Sequence, residues 1–346
     1  MILVGSLLNE YKFICYILLL LIFSSCFQSE ESLITISGNT MGTTYTVKYI
    51  KPQNKPVHQK IVLKKIEEDL LEINKKMSTY ISDSELTLLN NASSNKKIKL
   101  SDDLFKVLDK SLQIASATSG FYDPTLGPLI NLWGFGPKGK RKIPSDIQII
   151  DAKQRVGHKK ISISRRDKSV IKLVDGMYID LSSLAKGYGV DVLANSLEEF
   201  EINNYMVEIG GEVKAKGLKH KSKWKIGIES PFEKKDKLKI IELSNKCIAT
   251  SGSYRNFFIE NKQKFSHTIN YKTGRPVRDS IISVSVMHKT CMEADAWATA
   301  LMAIGYRNAF IVAKLNNLDV YLIYKDDRQQ GNNFIVKKRG RFWPKD

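Results

Sequence analysis

Stretches of apolar residues with a period of two and stretches with a period near 3.6 follow one another in this chain without regular alternation. That order constrains the fold more than any single motif, because a doubly wound parallel sheet needs repeated βαβ units. Alternation predicts strands at about 33–38 and 43–50. From His58 to Met77, Ile61, Val62, Ile66, Leu70 and Ile73 mark an amphipathic helix. Ser101-Asp102 opens a second helix through Leu104, Val107, Leu108, Leu112 and Ile114, closed near Gly120. Short strands at about 160–163, 169–174 and 177–181 predict a meander, followed by a helix from near Ala185 to about Phe200. Strand patterns recur at about 205–216, 224–229, 238–243, 247–250 and 281–288. Two helices at 292–304 and 306–316 precede strands at 319–324 and around 333–337. The expected class is α+β, with mixed, largely antiparallel sheets and packed helices. No Pro- or Ser-rich linker divides the chain, so it forms one large or two interlocked subdomains.

The N-terminus carries a targeting pattern. Lys12 is followed by an unbroken apolar run, Phe13 to Phe23, and then Ser24-Ser25-Cys26. The run is too short to span a bilayer and suits the hydrophobic region of a signal peptide. Small residues before a cysteine resemble a bacterial lipoprotein signal, which predicts a signal over 1–25, lipidation at Cys26, and a tether over 26–34 leading to a domain over 35–346. An uncleaved N-terminal anchor is the alternative. Acyl chains contribute about 0.8 kcal/mol per buried CH2, enough for several on one cysteine to hold the protein at a membrane. Either reading places the domain outside the cytoplasm, on the periplasmic side of an inner membrane.

The formal net charge is +18, carried mainly by lysines in segments such as Lys234–Lys239 and Lys337–Arg341. A solvated lysine-rich surface accounts for it, as does attraction to anionic headgroups or a phosphorylated ligand. An exported, tethered chain without a recognisable motif is not expected to bind nucleic acid. Of the four cysteines, Cys247 and Cys291 lie in the domain, either as a disulfide or as two buried thiols. No Cys/His spacing suits zinc.

Three constellations carry chemistry. Glu293-Ala294-Asp295-Ala296-Trp297-Ala298-Thr299 puts a carboxylate and a hydroxyl one helical turn apart, a pair able to hold a hard cation such as Mg2+. Asp180-Leu181-Ser182-Ser183-Leu184-Ala185-Lys186-Gly187-Tyr188 passes from a strand end into a helix start, where free N–H groups and Lys186 suit an anion. Thr250 to Arg255, then Ser266-His267-Thr268-Ile269-Asn270 and Thr273-Gly274-Arg275-Pro276, gather hydroxyls, a histidine and a turn. His58, His158, His220 and His288 lie among polar or lysine-rich residues and are given no role. Met41-Gly42-Thr43-Thr44 and Gly210-Gly211 interrupt strand patterns, and neither resembles a P-loop or a GxGxxG fingerprint.

Taken in order, these segments resemble the ApbE family of FAD:protein FMN transferases. The matching residues include Met41-Gly42-Thr43, Ser78-Thr79-Tyr80, Ser84-Glu85-Leu86, Gly120 to Asp123, Asn131 to Pro137, Asp180 to Tyr188 with Asp191, Ile209 to Glu212, Ala249 to Gly252, Ser266-His267, Thr273 to Pro276 and Ala294-Asp295-Ala296. The resemblance implies a T-fold-related, two-subdomain architecture. It implies a Mg2+-dependent enzyme that takes FAD as substrate and joins its FMN half to a threonine hydroxyl of an acceptor flavoprotein, releasing AMP. Sodium-pumping or Rnf-type electron-transfer subunits are the acceptors it suggests. Met41, Tyr80, Phe121, Tyr122, Asp123, Asp180, Lys186 and Ile269 match FAD-contacting positions. Asp295 and Thr299 match metal ligands, with a backbone carbonyl from Ser183. Ala298 stands where some members have a second Asp. His267 would contact the phosphate or help deprotonate the nucleophile, a task an Asp near the metal could also perform. FAD hydrolysis to FMN and AMP, or flavin binding without turnover, are the rival readings.

Overall fold

An eight-stranded sheet organises the computed structural model, and its strands neighbour one another in chain order. They are β1 (Leu33–Thr40), β2 (Thr43–Ile50), β3 (Tyr205–Ile209), β4 (Glu212–Lys216), β5 (Lys246–Gly252), β6 (Ile281–His288), β7 (Asp319–Lys325) and β8 (Phe334–Arg339). Each pair from β2 to β8 is antiparallel. The structure describes residues 32–52, 57–137, 139–228, 239–254, 256–277, 281–325, 334–341 and 343. The signal segment, Cys26, residues 234–238 of the lysine-rich segment and Arg255 lie outside them. Among the described residues no helix is long and apolar enough to cross a membrane.

Five longer helices occupy the connections: α1 (Gln59–Met77), α2 (Asp102–Ala117), α3 (Ser182–Glu199), α4 (Cys291–Ile304) and α5 (Tyr306–Leu315). Helix α1 buries Val62, Ile66, Leu70, Ile73 and Met77, the stripe its periodicity predicts. The Ser101 hydroxyl accepts from the Leu104 N–H and caps α2, a bond worth about 1 kcal/mol. Helix α4 is buried on nearly every face, which fits its run of Ala, Met and Leu. Two hydrophobic cores meet at α3: Leu184 and Tyr188 face the one that holds α2 and α4, whereas Val190, Leu193 and Leu197 face the one that holds α1 and β1–β3. One helix thus serves both cores, and Ile34–Asp346 form a single compact unit.

The expected strand at 177–181 is absent. The third strand of the small sheet is Ile98–Lys99, which pairs with Ser169–Lys172. Ile179 instead exchanges both its backbone groups with the Asn90 side chain, at 2.7 and 2.9 Å, and the Asp180 N–H donates to the Pro124 carbonyl at 2.8 Å. A side-chain amide thus takes the place of a strand partner. The stretch 205–216 is a hairpin, β3 and β4, broken at Gly210-Gly211. Both glycines have positive φ, 60° and 103°, which favours a tight two-residue turn. Helices at Glu85–Asn91, Gly127–Leu132 and Asp146–Gln154 are too short to show a period in the sequence.

Candidate active site

Helix α3 begins at Ser182, earlier than its apolar pattern suggests, because the Asp180 carboxylate accepts the Ser182 N–H at 2.8 Å. Lys186 therefore sits on the second turn rather than the first. Helix α4 crosses close to this point. A Cβ on Gly187 would lie 2.3 Å from the Cys291 carbonyl oxygen and 2.9 Å from the Asp295 Cβ. Only glycine permits that approach. The Gly187 N–H donates to Asp295 Oδ2 at 3.1 Å, and Lys186 Nζ lies 3.6 Å from the same oxygen.

A second tie fixes the two helices along their length. Asp191 on α3 accepts the Cys291 and Met292 N–H groups, at 3.1 and 3.0 Å, capping α4, and Lys214 on β4 pairs with it at 3.3 Å. The buried thiols of Cys247 and Cys291 lie beside Asp191 and form no disulfide. Asp191→Ala should cost about 1–3 kcal/mol, since it leaves two helix N–H groups and a lysine without their acceptor. Urea unfolding of the variant measures it, and an unchanged midpoint would count against this role.

Asp295 and Thr299 share one face of α4, as their spacing requires, and the Thr299 hydroxyl is 3.2 Å from that of Ser251 on β5. Asp295 is buried, and burial pushes its carboxyl up to about 8, with Lys186 opposing and Glu212 adding to the rise. For Lys186, burial acts to lower the ammonium's pKa, but Asp295 and Glu212 outweigh it and hold the group well above the ordinary lysine value. Glu212 opens β4 directly after the glycine turn. Its Oε1 accepts from Lys186 Nζ at 2.9 Å, while its buried Oε2 has no hydrogen-bond partner. The turn also makes room for the lysine stem, because a Cβ on Gly210 would come within 3.2 Å of Lys186 Cδ.

Two cavities flank this cluster. One of about 320 Å3 is lined by Phe121, Tyr122, Asp123, Ser183, His267, Ile269, Asp295 and Thr299. The other, about 140 Å3, is lined by Met41 and Tyr80. Asp180, Ser182 and Lys186 line both. All the site residues named from the sequence within the described region therefore fall around one place. Met41 occupies the turn between β1 and β2 with φ 49°, and Tyr80 is largely exposed on the rim.

Some side chains are engaged within the protein. Asp123 Oδ1 accepts from the Thr125 N–H and hydroxyl, and Oδ2 from the His158 N–H, with His158 Nδ1 3.2 Å away. Its carboxylate thus organises its own loop, and His158, given no role from sequence, is its partner. Phe121 meets Tyr271 edge-on at 5.5 Å and lies under Lys272 Nζ at 4.9 Å. Arg275 pairs with Asp146 on a surface helix and does not line either cavity. The Tyr122 hydroxyl is 2.9 Å from that of Ser183.

His267 Nδ1 lies 3.0 Å from the Asn256 carbonyl oxygen. A carbonyl only accepts, so Nδ1 carries the proton and Nε2 keeps the lone pair. Burial lowers the imidazole pKa, and although the Asn256 bond and Asp180 oppose this, the Lys186 charge adds to it. The ring is a neutral base beside a cluster that can receive both a cation and a phosphate.

In the sequence, Glu212 and Asp191 stand out only as part of matching segments. An acid directly after a Gly-Gly turn, at the head of a strand, is the available signal for Glu212. For Asp191 the sequence holds none, because its partner N–H groups are far away in the chain.

Residues 41–322 match the profile of the ApbE family. The chain is 41% identical over 322 residues to the FAD:protein FMN transferase of Haemophilus influenzae, covering 91% of this chain and 92% of that protein. The flavin transferase ApbE from Vibrio cholerae superposes with a TM-score of 0.82 at 37% identity, covering 89% of this chain and 97% of that one. The apo form of the Pseudomonas stutzeri flavinyl transferase ApbE gives 0.81 at 32% identity, covering 90% and 96%.

Proposed function

The chain belongs to the ApbE family, and on that footing we propose that it is a FAD:protein FMN transferase, moving FMN from FAD to a threonine hydroxyl of an acceptor flavoprotein and releasing AMP. The observation that carries this is the cluster of Lys186, Glu212, Asp295 and Thr299 at the junction of two cavities. A dinucleotide has a ring system on each side of a charged pyrophosphate, and the junction offers a cation where that charge would fall.

The donors of α4 suit Mg2+: Asp295 and Thr299 offer only oxygens, beside a buried carboxylate oxygen of Glu212 that lacks a donor. Asp295, Thr299 and the Ser183 carbonyl would hold the ion. Bound there, Mg2+ would offset charge on the phosphate oxygens.

The chain's own residues supply the rest. Lys186 places a full positive charge at the pyrophosphate, where it stabilises the negative charge that collects on the oxygen leaving with AMP. The threonine oxygen forms a bond to the FMN phosphorus while the bond from that phosphorus to the bridging oxygen breaks. His267 Nε2 takes the hydroxyl proton. Met41, Tyr80, Phe121 and Ile269 provide apolar surface for the rings, where stacking adds roughly 0.5–1.5 kcal/mol beyond area burial.

The Ser24-Ser25-Cys26 pattern supports a lipid-anchored enzyme on the outer side of the inner membrane, and acceptors among sodium-pumping or Rnf-type electron-transfer subunits suit that location. Incubation with FAD, Mg2+ and a threonine-bearing acceptor domain tests the reading. Mass spectrometry should find an FMN adduct on the threonine, with AMP released in equal amount. FMN and AMP formed at the same rate without acceptor would replace transfer with hydrolysis.

A pH dependence follows from His267. Its lowered pKa keeps Nε2 basic below the ordinary imidazole value of about 6.5. At saturating Mg2+ the rate should fall only as pH drops through that lowered value. His267→Ala should lose about 10²- to 10⁴-fold and remove this acid limb. An unaltered limb in the variant would exclude His267 as the base.

A further inference from the structure

We infer that Glu212 is a positioning residue of the cation site: it holds the Lys186 ammonium away from Asp295, and its second oxygen accepts from a water carried by the ion. The inference rests on the proposed function for the identity of the ion, and on the geometry of β4, α3 and α4 for the role of the residue.

Lys186 has two acids to choose from. Its ammonium is 2.9 Å from Glu212 Oε1 but 3.6 Å from Asp295 Oδ2. Glu212 therefore has the hydrogen bond and Asp295 only the longer contact. Without Glu212 nothing in the described cluster would keep the lysine from closing on Asp295, and a lysine bonded there occupies the carboxylate a cation needs. Charge leads to the same result. With Asp295 ionised, as a bound cation requires, Asp295, Glu212 and Lys186 together carry one net negative charge, and losing Glu212 leaves none to attract a divalent ion.

Oε2 of Glu212 is the independent observation. Glu212 is 2% exposed and lines the larger cavity, yet this oxygen has no donor. A buried carboxylate oxygen is costly to leave unsatisfied. Phosphate oxygens cannot satisfy it, because they too only accept. A bound Mg2+ can, since it keeps several of its waters and these donate. Glu212 thus lies next to the ligand set while touching the ion only through water.

The test uses Mn2+ as a spin-active probe ion on the full-length protein without FAD, with free Mn2+ read by electron paramagnetic resonance. Glu212→Gln should weaken Mn2+ binding by about 10- to 100-fold. Lys186→Met alone should tighten it by about tenfold, because the competing cation is gone. The double variant should return to about the wild-type affinity, a restoration that a merely structural role for Glu212 would not produce. Wild-type affinity in Glu212→Gln, or a double variant as weak as Glu212→Gln, overturns the inference while the site at Asp295 stands. Wild-type affinity in Asp295→Asn removes the site itself, and the inference with it.

Discussion

Asp295→Asn should stop FMN transfer while leaving the fold intact. The amide has the shape of the carboxylate and can still accept the Gly187 N–H, which donates to Oδ2 at 3.1 Å. Lys186 keeps its partner Glu212 at 2.9 Å, so the substitution strands no buried cation. The protein also no longer has to bury this charge, and thermal stability should not fall. What is lost is the formal charge that binds the divalent ion at a buried position. We expect transfer to drop by about a thousandfold or more, of the order seen when a preorganised electrostatic partner is removed. The measurement is AMP release and adduct formation at saturating FAD. Activity within tenfold of wild type would exclude Asp295 as a ligand, and partial recovery at high Mg2+ would locate the loss in affinity.

Gly187→Ala should also be damaging, by a different route. The added methyl would meet Cys291 backbone atoms at 2.3 and 2.6 Å and the Asp295 Cβ at 2.9 Å. Two of these are main chain, so no rotamer change relieves the contact. Helices α3 and α4 must separate, which costs about 1–3 kcal/mol for one extra carbon in a packed interior. The movement falls between Lys186 and Asp295, the groups whose spacing defines the site. A misplacement of about 1 Å is enough to lose on the order of 10²-fold in rate. Gly187→Ala should therefore lower the melting temperature and the transfer rate together, whereas Asp295→Asn lowers only the rate. An Ala variant with wild-type activity would show that the close approach is unnecessary for transfer.

These two residues mark how far the sequence could be read. Asp295 was legible, because a carboxylate and a hydroxyl one turn apart on an apolar helix form a local pattern, and the resemblance to the ApbE family gave that pattern a reaction. Gly187 was part of a matching segment, but nothing local said what it approaches. The same division holds for secondary structure. Helices α1, α2 and α4 and strands β1, β2 and β6 follow directly from period and caps. The expected strand at 177–181 does not form, because the amide of Asn90, distant in the chain, satisfies its backbone.

By itself the sequence determined the longer helices and most strands of the large sheet, that the class is α+β, and which residue types could bind FAD and a cation. Those properties depend on neighbours within a turn or two. Only the tertiary structure decided that the strands stack in chain order and that α3 serves two cores. It also set Lys186 between Asp295 and Glu212, and left one oxygen of Glu212 without a donor. Those properties depend on pairs 26 to 109 positions apart in the chain, such as Lys186 with Glu212 and Lys186 with Asp295. No local period encodes such pairs; close packing of whole elements brings them together.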